Sequence, residues 1–178
     1  MKEEMRQKFI EILGNNRVLF DEPMSQHTTF RIGGPADVFV MPENYEQIRE
    51  VLRLCKEEKL PFFVLGNGSN LLVSDSGYRG VIIQMDRNME EIRLDGEEIH
   101  ACAGALLSSV AVAARNASLT GFEFAGGIPG TIGGAAVMNA GAYGGELKDV
   151  LKEVTVMTRE GEILTIPAEK MEMGYRTS

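Results

Sequence analysis

The sequence predicts a mixed fold of helices and strands that leaves bare backbone open to a ligand. Three observations lead there. A succession of strand, helix, strand and glycine loop runs through residues 36–70, the pattern of a βαβ unit whose loop falls at the carboxyl end of a strand, where open α/β sheets place ligands. Hairpin signatures at Asp95-Gly96 and at Arg159-Glu160-Gly161 add antiparallel pairs. Nine of the twenty glycines crowd into the twenty-five residues 121–145, GFEFAGGIPGTIGGAAVMNAGAYGG, a run too poor in side chains to build its own core.

A chain of 178 residues can bury a core for one large domain or two small ones. Hydrophobic content of 44%, charged content of 25% and a mean hydropathy of -0.08 are ordinary for a soluble globular protein. No apolar run approaches the roughly 20 residues that span a bilayer, and the acidic start Met-Lys-Glu-Glu-Met is no signal peptide, so a cytoplasmic protein without membrane partners is expected. A net charge of -8 without clustered Lys and Arg argues against nucleic acid. An anionic ligand would therefore need local backbone N–H groups and a few arginines. Cys55 and Cys102 lie far apart, with no CxxC and no His at metal spacing; both read as buried free thiols, and no metal site is expected.

In chain order, residues 2–13 place Met5, Phe9, Ile12 and Leu13 at helical spacing before Gly14. A short strand is expected over 17–21. Ser25 to Pro35, rich in Thr and Gly with one Arg, reads as a binding loop ahead of a strand over 36–41, with His27 a satisfied turn histidine. Tyr45, Ile48, Val51, Leu52 and Cys55 make one helical face behind Asn44, a candidate N-cap. Pro61 stops that helix, and Phe62 to Leu65 reads as a buried strand feeding Gly66-Asn67-Gly68-Ser69-Asn70.

That loop is not a dinucleotide fingerprint, because position six is Leu71 and no helix follows, and it lacks the Gly-Lys-Ser/Thr ending of a P-loop. Its successive N–H groups could form an anion nest, and an ordinary turn is the alternative. The residues after it, LLVSDSGYRG, read as strand-like and then turn-like. Strands are expected over 80–85, 90–95 and 97–103, with Ile99, Ala101 and Ala103 on one side and His100 on the more exposed one. A packed helix over 105–117 carries Leu106, Val110 and Ala113 on its stripe. A second hairpin spans 151–166, and AEKMEMGYRTS follows it without further regular structure.

The long glycine stretch has apolar residues, Phe122, Phe124, Ile128, Ile132, Val137 and Met138, tying it to an interior, while Gly126-Gly127 and Gly133-Gly134 bare peptide groups. Glycine on this scale suits close approach by a flat, partly apolar ligand with an anionic tail; the alternative is a tightly turned loop under a sheet.

Four segments in order, HTTFRIGGPADVFVMP (27–42), LGNGSNLLVSDSGYRGVII (65–83), GFEFAGGIPGTIGGAAVMNAGAYGGEL (121–147) and YRTS (175–178), resemble the UDP-N-acetylenolpyruvoylglucosamine reductases. The resemblance implies an α+β fold, the FAD-binding fold of the vanillyl-alcohol-oxidase (PCMH) type, with two α/β subdomains, 1–84 and 85–178, clasping a non-covalent FAD. It implies NADPH as electron donor and UDP-N-acetylglucosamine enolpyruvate as small-molecule substrate, reduced to UDP-N-acetylmuramate for bacterial peptidoglycan. Carried onto this sequence, Gly66, Asn67, Gly68, Ser69 and Asn70 match the pyrophosphate loop. Gly127, Ile128, Pro129, Gly130, Gly133, Gly134 and Ala135 match the segment along the flavin. Asn139, Gly141, Ala142, Tyr143 and Gly144 match the turn near the flavin ring and substrate, with Tyr143 and Tyr175 on the substrate side.

Arg176 matches the arginine that faces the substrate carboxylate and developing enolate, a role suited to a permanently charged guanidinium fork. The resemblance also implies a further substrate domain of about 100 residues, bringing a proton-donating serine and a glutamate that no residue here matches. On that basis the chain is expected to bind FAD and to be incomplete for turnover. Two alternatives are a flavin-binding module completed by a partner chain and another flavin oxidoreductase of the same fold.

Overall fold

The computed structural model describes residues 2–85 and 89–178. Met1, part of the acidic start, and 86–88, at the beginning of the expected second subdomain, lie outside the described residues. The chain divides into two units, Met1–Asn88 with Arg159–Glu162, and Met89–Thr158 with Ile163–Ser178.

The first unit opens with helix α1, Glu3–Leu13, which buries Phe9 and Leu13 one turn apart and ends where Gly14 takes φ 83 and donates to the Ile10 carbonyl. Strand β1 (Val18–Pro23) pairs antiparallel with β2 (Pro35–Val40), Val18 opposite Val40. Helix α2, Tyr45–Glu57, starts at Asn44, whose side chain accepts the Gln47 N–H. Its buried face is Ile48, Val51, Leu52, Leu54 and Cys55; Tyr45, expected on that face, is half exposed in the first turn.

Strands β3 (Phe62–Leu65) and β4 (Tyr78–Gln84) complete a four-stranded sheet of order β1-β2-β4-β3, with β4 parallel to both neighbours. The central strands β2 and β4 bury Val38, Phe39, Val40, Val81, Ile82 and Ile83 to 2% exposure or less. Strand β3 was expected to be buried, but it forms the sheet edge and leaves Phe63 at 43% and Val64 at 53% exposure. Residues 71–74, expected to be strand-like, join no ladder; Leu71 and Val73 pack instead on the cluster of Met24, Ala36, Phe39, Leu65 and Ile82.

The second unit begins with the hairpin of β5 (Ile92–Asp95) and β6 (Glu98–Ala101). Asp95 faces Glu98 across it, so the turn is Gly96-Glu97, and Gly96 supplies φ 61 at its first position. Helix α3, Leu107–Asn116, buries Leu107, Val110 and Ala114; of the expected stripe Val110 is buried, while Leu106 is the exposed N-cap and Ala113 is half-buried. The glycine stretch folds as a 3-10 helix, Glu123–Gly127, a short helix α4, Ile132–Met138, and a two-residue hairpin of β7 (Gly141–Ala142) and β8 (Gly145–Glu146).

Phe122, Phe124, Ile128 and Ile132 tie that stretch to its unit's core as expected, and its small residues join them there. Phe124, Ala125, Ala135 and Ala140 pack with Leu107 and Leu147, and small residues let the backbones come close. Val137, expected to anchor the segment inside, is 65% exposed. A further hairpin, β9 (Glu153–Met157) with β10 (Ile163–Pro167), follows. Among the described residues no helix is long and apolar enough to cross a membrane.

Candidate functional site

In the first unit the candidate loop Gly66–Asn70 leaves the carboxyl end of β3 and is fastened to the loop that follows β1. The Thr29 N–H donates to the Gly68 carbonyl at 3.1 Å. Gly68 has φ 63, and a Cβ there would lie 1.9 Å from the His27 carbonyl oxygen, so only glycine lets the two loops pass. His27 is itself held in place: its ring stacks on Phe39 with centroids 4.0 Å apart, and Nε2 lies 2.8 Å from Glu22 Oε1. Thr28 is buried and donates through Oγ1 to the Ile32 carbonyl.

The histidine is thus satisfied, as its sequence setting suggested, and it supports the loop from behind. Asn67 and Asn70 are exposed, and among the described residues the N–H groups of Gly68 and Asn70 enter no turn or loop hydrogen bond with another backbone group. A left-handed Gly68 amid such N–H groups is the backbone form of an anion nest.

In the second unit the candidate glycines divide by what surrounds them. At Gly133 a Cβ would sit 2.9 Å from Ala103 Cβ, and at Gly141 one would sit 2.7 Å from the Gly145 carbonyl oxygen, so neighbouring chain requires both. Gly127 and Gly134 are different. Neither has a positive φ; a Cβ on Gly127 meets nothing within 4 Å, and one on Gly134 meets only Thr131 Oγ1, at 3.6 Å. Both are exposed. Gly134 lies in the first turn of α4, where alanine could take the same backbone and would favour the helix by about 0.4–1 kcal/mol. The fold has no use for the missing methyl groups at these two positions. A surface kept bare for a closely approaching ligand does, and an FAD fits that requirement.

The peptide groups expected to be bare at Gly133-Gly134 are already engaged. Ile132 N–H donates to the Ala105 carbonyl and Gly133 N–H to that of Ala103, while Gly134 N–H reaches Thr131 Oγ1 at 3.4 Å. Among the other candidates, Ile128 is half-buried against the core, Pro129 is exposed, Ala135 is buried, and Gly130 accepts the Leu107 N–H at 3.0 Å. Ala142 pairs with Gly145 across the small hairpin. Its turn residues, Tyr143 and Gly144, both have positive φ, 53 and 87, and Tyr143 is 98% exposed.

The structure brings Asn139, the Tyr143 hairpin and the Tyr175–Arg176 turn together within this unit. Asn139 Nδ2 donates to the Gly174 carbonyl at 3.0 Å, and Ser178 Oγ donates to the Val137 carbonyl at 3.3 Å. Tyr175 is exposed, and the Arg176 guanidinium lies 5.5 Å from its ring centroid. Arg176 itself takes φ 58.

Glu146, not singled out in the sequence, belongs to this group. Lys148 and Asn139, which hydrogen-bond to it, hold its carboxyl below the usual carboxylate range, and the charge of Arg176 adds to the effect. Glu146 also accepts at the start of the 3-10 helix Leu147–Asp149, where Asp149 reaches back to its N–H. An acid followed three residues later by another acid is the sequence signal that could have found it.

A family model described as FAD binding domain matches residues 36–167. A UDP-N-acetylenolpyruvoylglucosamine reductase of Alkaliphilus metalliredigens (strain QYMF) is 50% identical over 177 residues, covering 99% of this chain and 58% of that protein. The chain thus spans just over half the length of the curated relatives it matches. Among solved structures, the UDP-N-acetylenolpyruvylglucosamine reductase of Thermus caldophilus superposes with a TM-score of 0.74 at 33% identity, over 90% of this chain and 55% of that one. p-Cresol methylhydroxylase with substrate bound superposes with a TM-score of 0.68 at 20% identity, over 91% of this chain and 34% of that one, a likeness of fold alone.

Proposed function

This chain belongs to the FAD binding domain family, and from that membership we propose that it is the flavin-holding part of a cytoplasmic UDP-N-acetylenolpyruvoylglucosamine reductase. Its α+β architecture is the FAD-binding fold of the vanillyl-alcohol-oxidase type. The observation that carries the reading is the pair Gly127 and Gly134, bare toward solvent with no neighbour inside the fold that requires it. The 50% identity to a reductase of that name supports the choice of reaction.

When bound, FAD would accept a hydride from NADPH and pass it to the enolpyruvyl double bond of UDP-N-acetylglucosamine enolpyruvate. In the proposed site Gly66, Asn67, Gly68, Ser69 and Asn70 offer backbone N–H groups and side-chain donors to the pyrophosphate. Gly127, Ile128, Pro129, Gly130 and Gly134 give a flat wall with few side chains, backed by Gly133 and buried Ala135, and Gly141 and Ala142 continue it beside Asn139, whose amide is bonded to protein. Tyr143 and Tyr175 flank the substrate. Arg176 pairs its guanidinium with the substrate carboxylate and stabilises the enolate oxygen as charge develops there. The subdomains 1–84 and 85–178 are the proposed functional divisions.

The test is spectroscopic. Purified protein titrated with FAD should acquire a flavin visible spectrum that denaturation releases, NADPH should bleach it without oxygen, and UDP-N-acetylglucosamine enolpyruvate should perturb it. Protein that takes up no FAD would overturn the cofactor assignment. A bound flavin reduced by another donor and indifferent to NADPH and this substrate would overturn the reaction.

A further inference from the structure

Asn139 is 2% exposed, yet its amide is among the most heavily used polar groups of the second unit. It ends α4 in the left-handed conformation, φ 39 and ψ 58. Nδ2 donates to Glu146 Oε2 at 2.8 Å and to the Gly174 carbonyl at 3.0 Å, and Oδ1 accepts the Lys148 N–H at 3.0 Å. Both amide donors and one acceptor position are therefore filled by protein, and little of the side chain remains for a ligand.

We propose that Asn139 is a positioning residue, which acts by clamping two turns onto the end of α4: the one that presents Arg176, held through Gly174, and the one that presents Tyr143, held through Glu146 and Lys148. This inference rests on the reading of Arg176 and Tyr143 as substrate-facing. Chemistry narrows the residue type. Glycine would accept the left-handed backbone but make none of the three bonds. Aspartate would lose both donors and set a second carboxylate against Glu146 and the Gly174 carbonyl. Asparagine alone combines tolerance of that backbone with two donors and an acceptor on a short side chain.

Glu146 shares the work. It accepts from Asn139 and pairs with the Lys148 ammonium at 2.8 Å. The Gly174 carbonyl in turn accepts the Thr177 N–H while the Gly174 N–H donates to Thr177, so the arginine turn is closed on itself; it is tied to the end of α4 by the 3.0 Å bond from Asn139 and by the longer 3.3 Å bond from exposed Ser178 Oγ to the Val137 carbonyl. Cutting the shorter, buried tie should loosen the turn without unfolding the unit.

The experiment compares wild type with Asn139→Gly, which keeps the backbone conformation, and Asn139→Ala. Amide hydrogen exchange is followed by NMR without ligand. In both variants the amides of Lys148, Gly174 and Thr177 should exchange about tenfold faster or more, while that of Val110 in α3 stays at the wild-type rate. A purely structural cap would speed all of them together. Exchange that is unchanged at Gly174 and Thr177, or raised uniformly through α3 in the Gly variant, overturns the clamp.

A second readout is the flavin spectral response to UDP-N-acetylglucosamine enolpyruvate, whose half-saturation should rise about tenfold or more in Asn139→Gly. A half-saturation equal to wild type would overturn the positioning role. Selective amide exchange in a wild-type protein that shows no response to the substrate would leave the clamp standing and overturn the substrate assignment instead.

Discussion

Alanine at Gly134 should make the protein more stable and a worse flavin binder. Gly134 sits within α4 with an ordinary φ, and the added Cβ meets Thr131 Oγ1 at 3.6 Å, a normal contact. Replacing a first-turn glycine whose backbone alanine adopts without strain should stabilise by about 0.4–1 kcal/mol. For a chain of this size that corresponds to a rise in Tm of about 1–4 °C. The same methyl group stands on the surface proposed to lie against FAD, where overlap costs about 1–3 kcal/mol and weakens binding about 5- to 150-fold.

Gly68→Ala is the contrasting control. There the backbone is left-handed and the Cβ falls 1.9 Å from the His27 carbonyl, so the two loops must separate. The left-handed penalty alone is about 1–2 kcal/mol, and Tm should drop by about 5 °C or more once the displacement is added. Thermal melts followed by circular dichroism and FAD titrations followed by flavin fluorescence measure both. A Gly134→Ala protein with wild-type FAD affinity, or with a lowered Tm, would refute the division of glycines into those the fold needs and those a ligand needs.

Two other expectations concern Asn44 and the cysteines. Asn44 accepts the Gln47 N–H at 3.0 Å, so Asn44→Ala should cost about 1 kcal/mol and lower Tm by about 2–4 °C, measured by the same melts; no change would mean that the cap is idle. Burial pushes the Cys55 thiol up to about 11, so at pH 8 only about a thousandth of it is thiolate, and Ellman's reagent should modify half-exposed Cys102 while leaving Cys55 untouched until denaturant is added. Two fast-reacting thiols in the folded protein would contradict that.

Helix α2 was legible because cap, 3.6-residue period and proline stop all lie within a short window around Asn44 to Pro61. Strand β3 was only half legible. Phe62 to Leu65 announces a strand, but whether it is central or at an edge depends on β4 arriving between it and β2, a long-range choice no local pattern records. The glycine stretch shows the same limit more sharply. Gly133 and Gly134 are neighbours in sequence, yet only the first abuts Ala103, so sequence alone could not separate a packing glycine from a bare one. For Asn139 no local pattern announces the contacts it makes within the protein, because its partner Gly174 lies 35 residues away.

The sheet order β1-β2-β4-β3 also sets a timetable for assembly. Until Tyr78 to Gln84 are available, β2 and β3 have no strand to join them, and β1 with β2 is the only pair in that sheet whose ladder can close. The apolar residues Val38, Phe39 and Val40 must therefore wait with one edge unpaired. Parallel ladders of this kind close long loops before they are rewarded and form slowly. A nascent chain is thus most vulnerable to wrong pairing in the interval before β4 docks, and substitutions in Val81, Ile82 or Ile83 that weaken this strand should prolong that interval as well as lower the final stability.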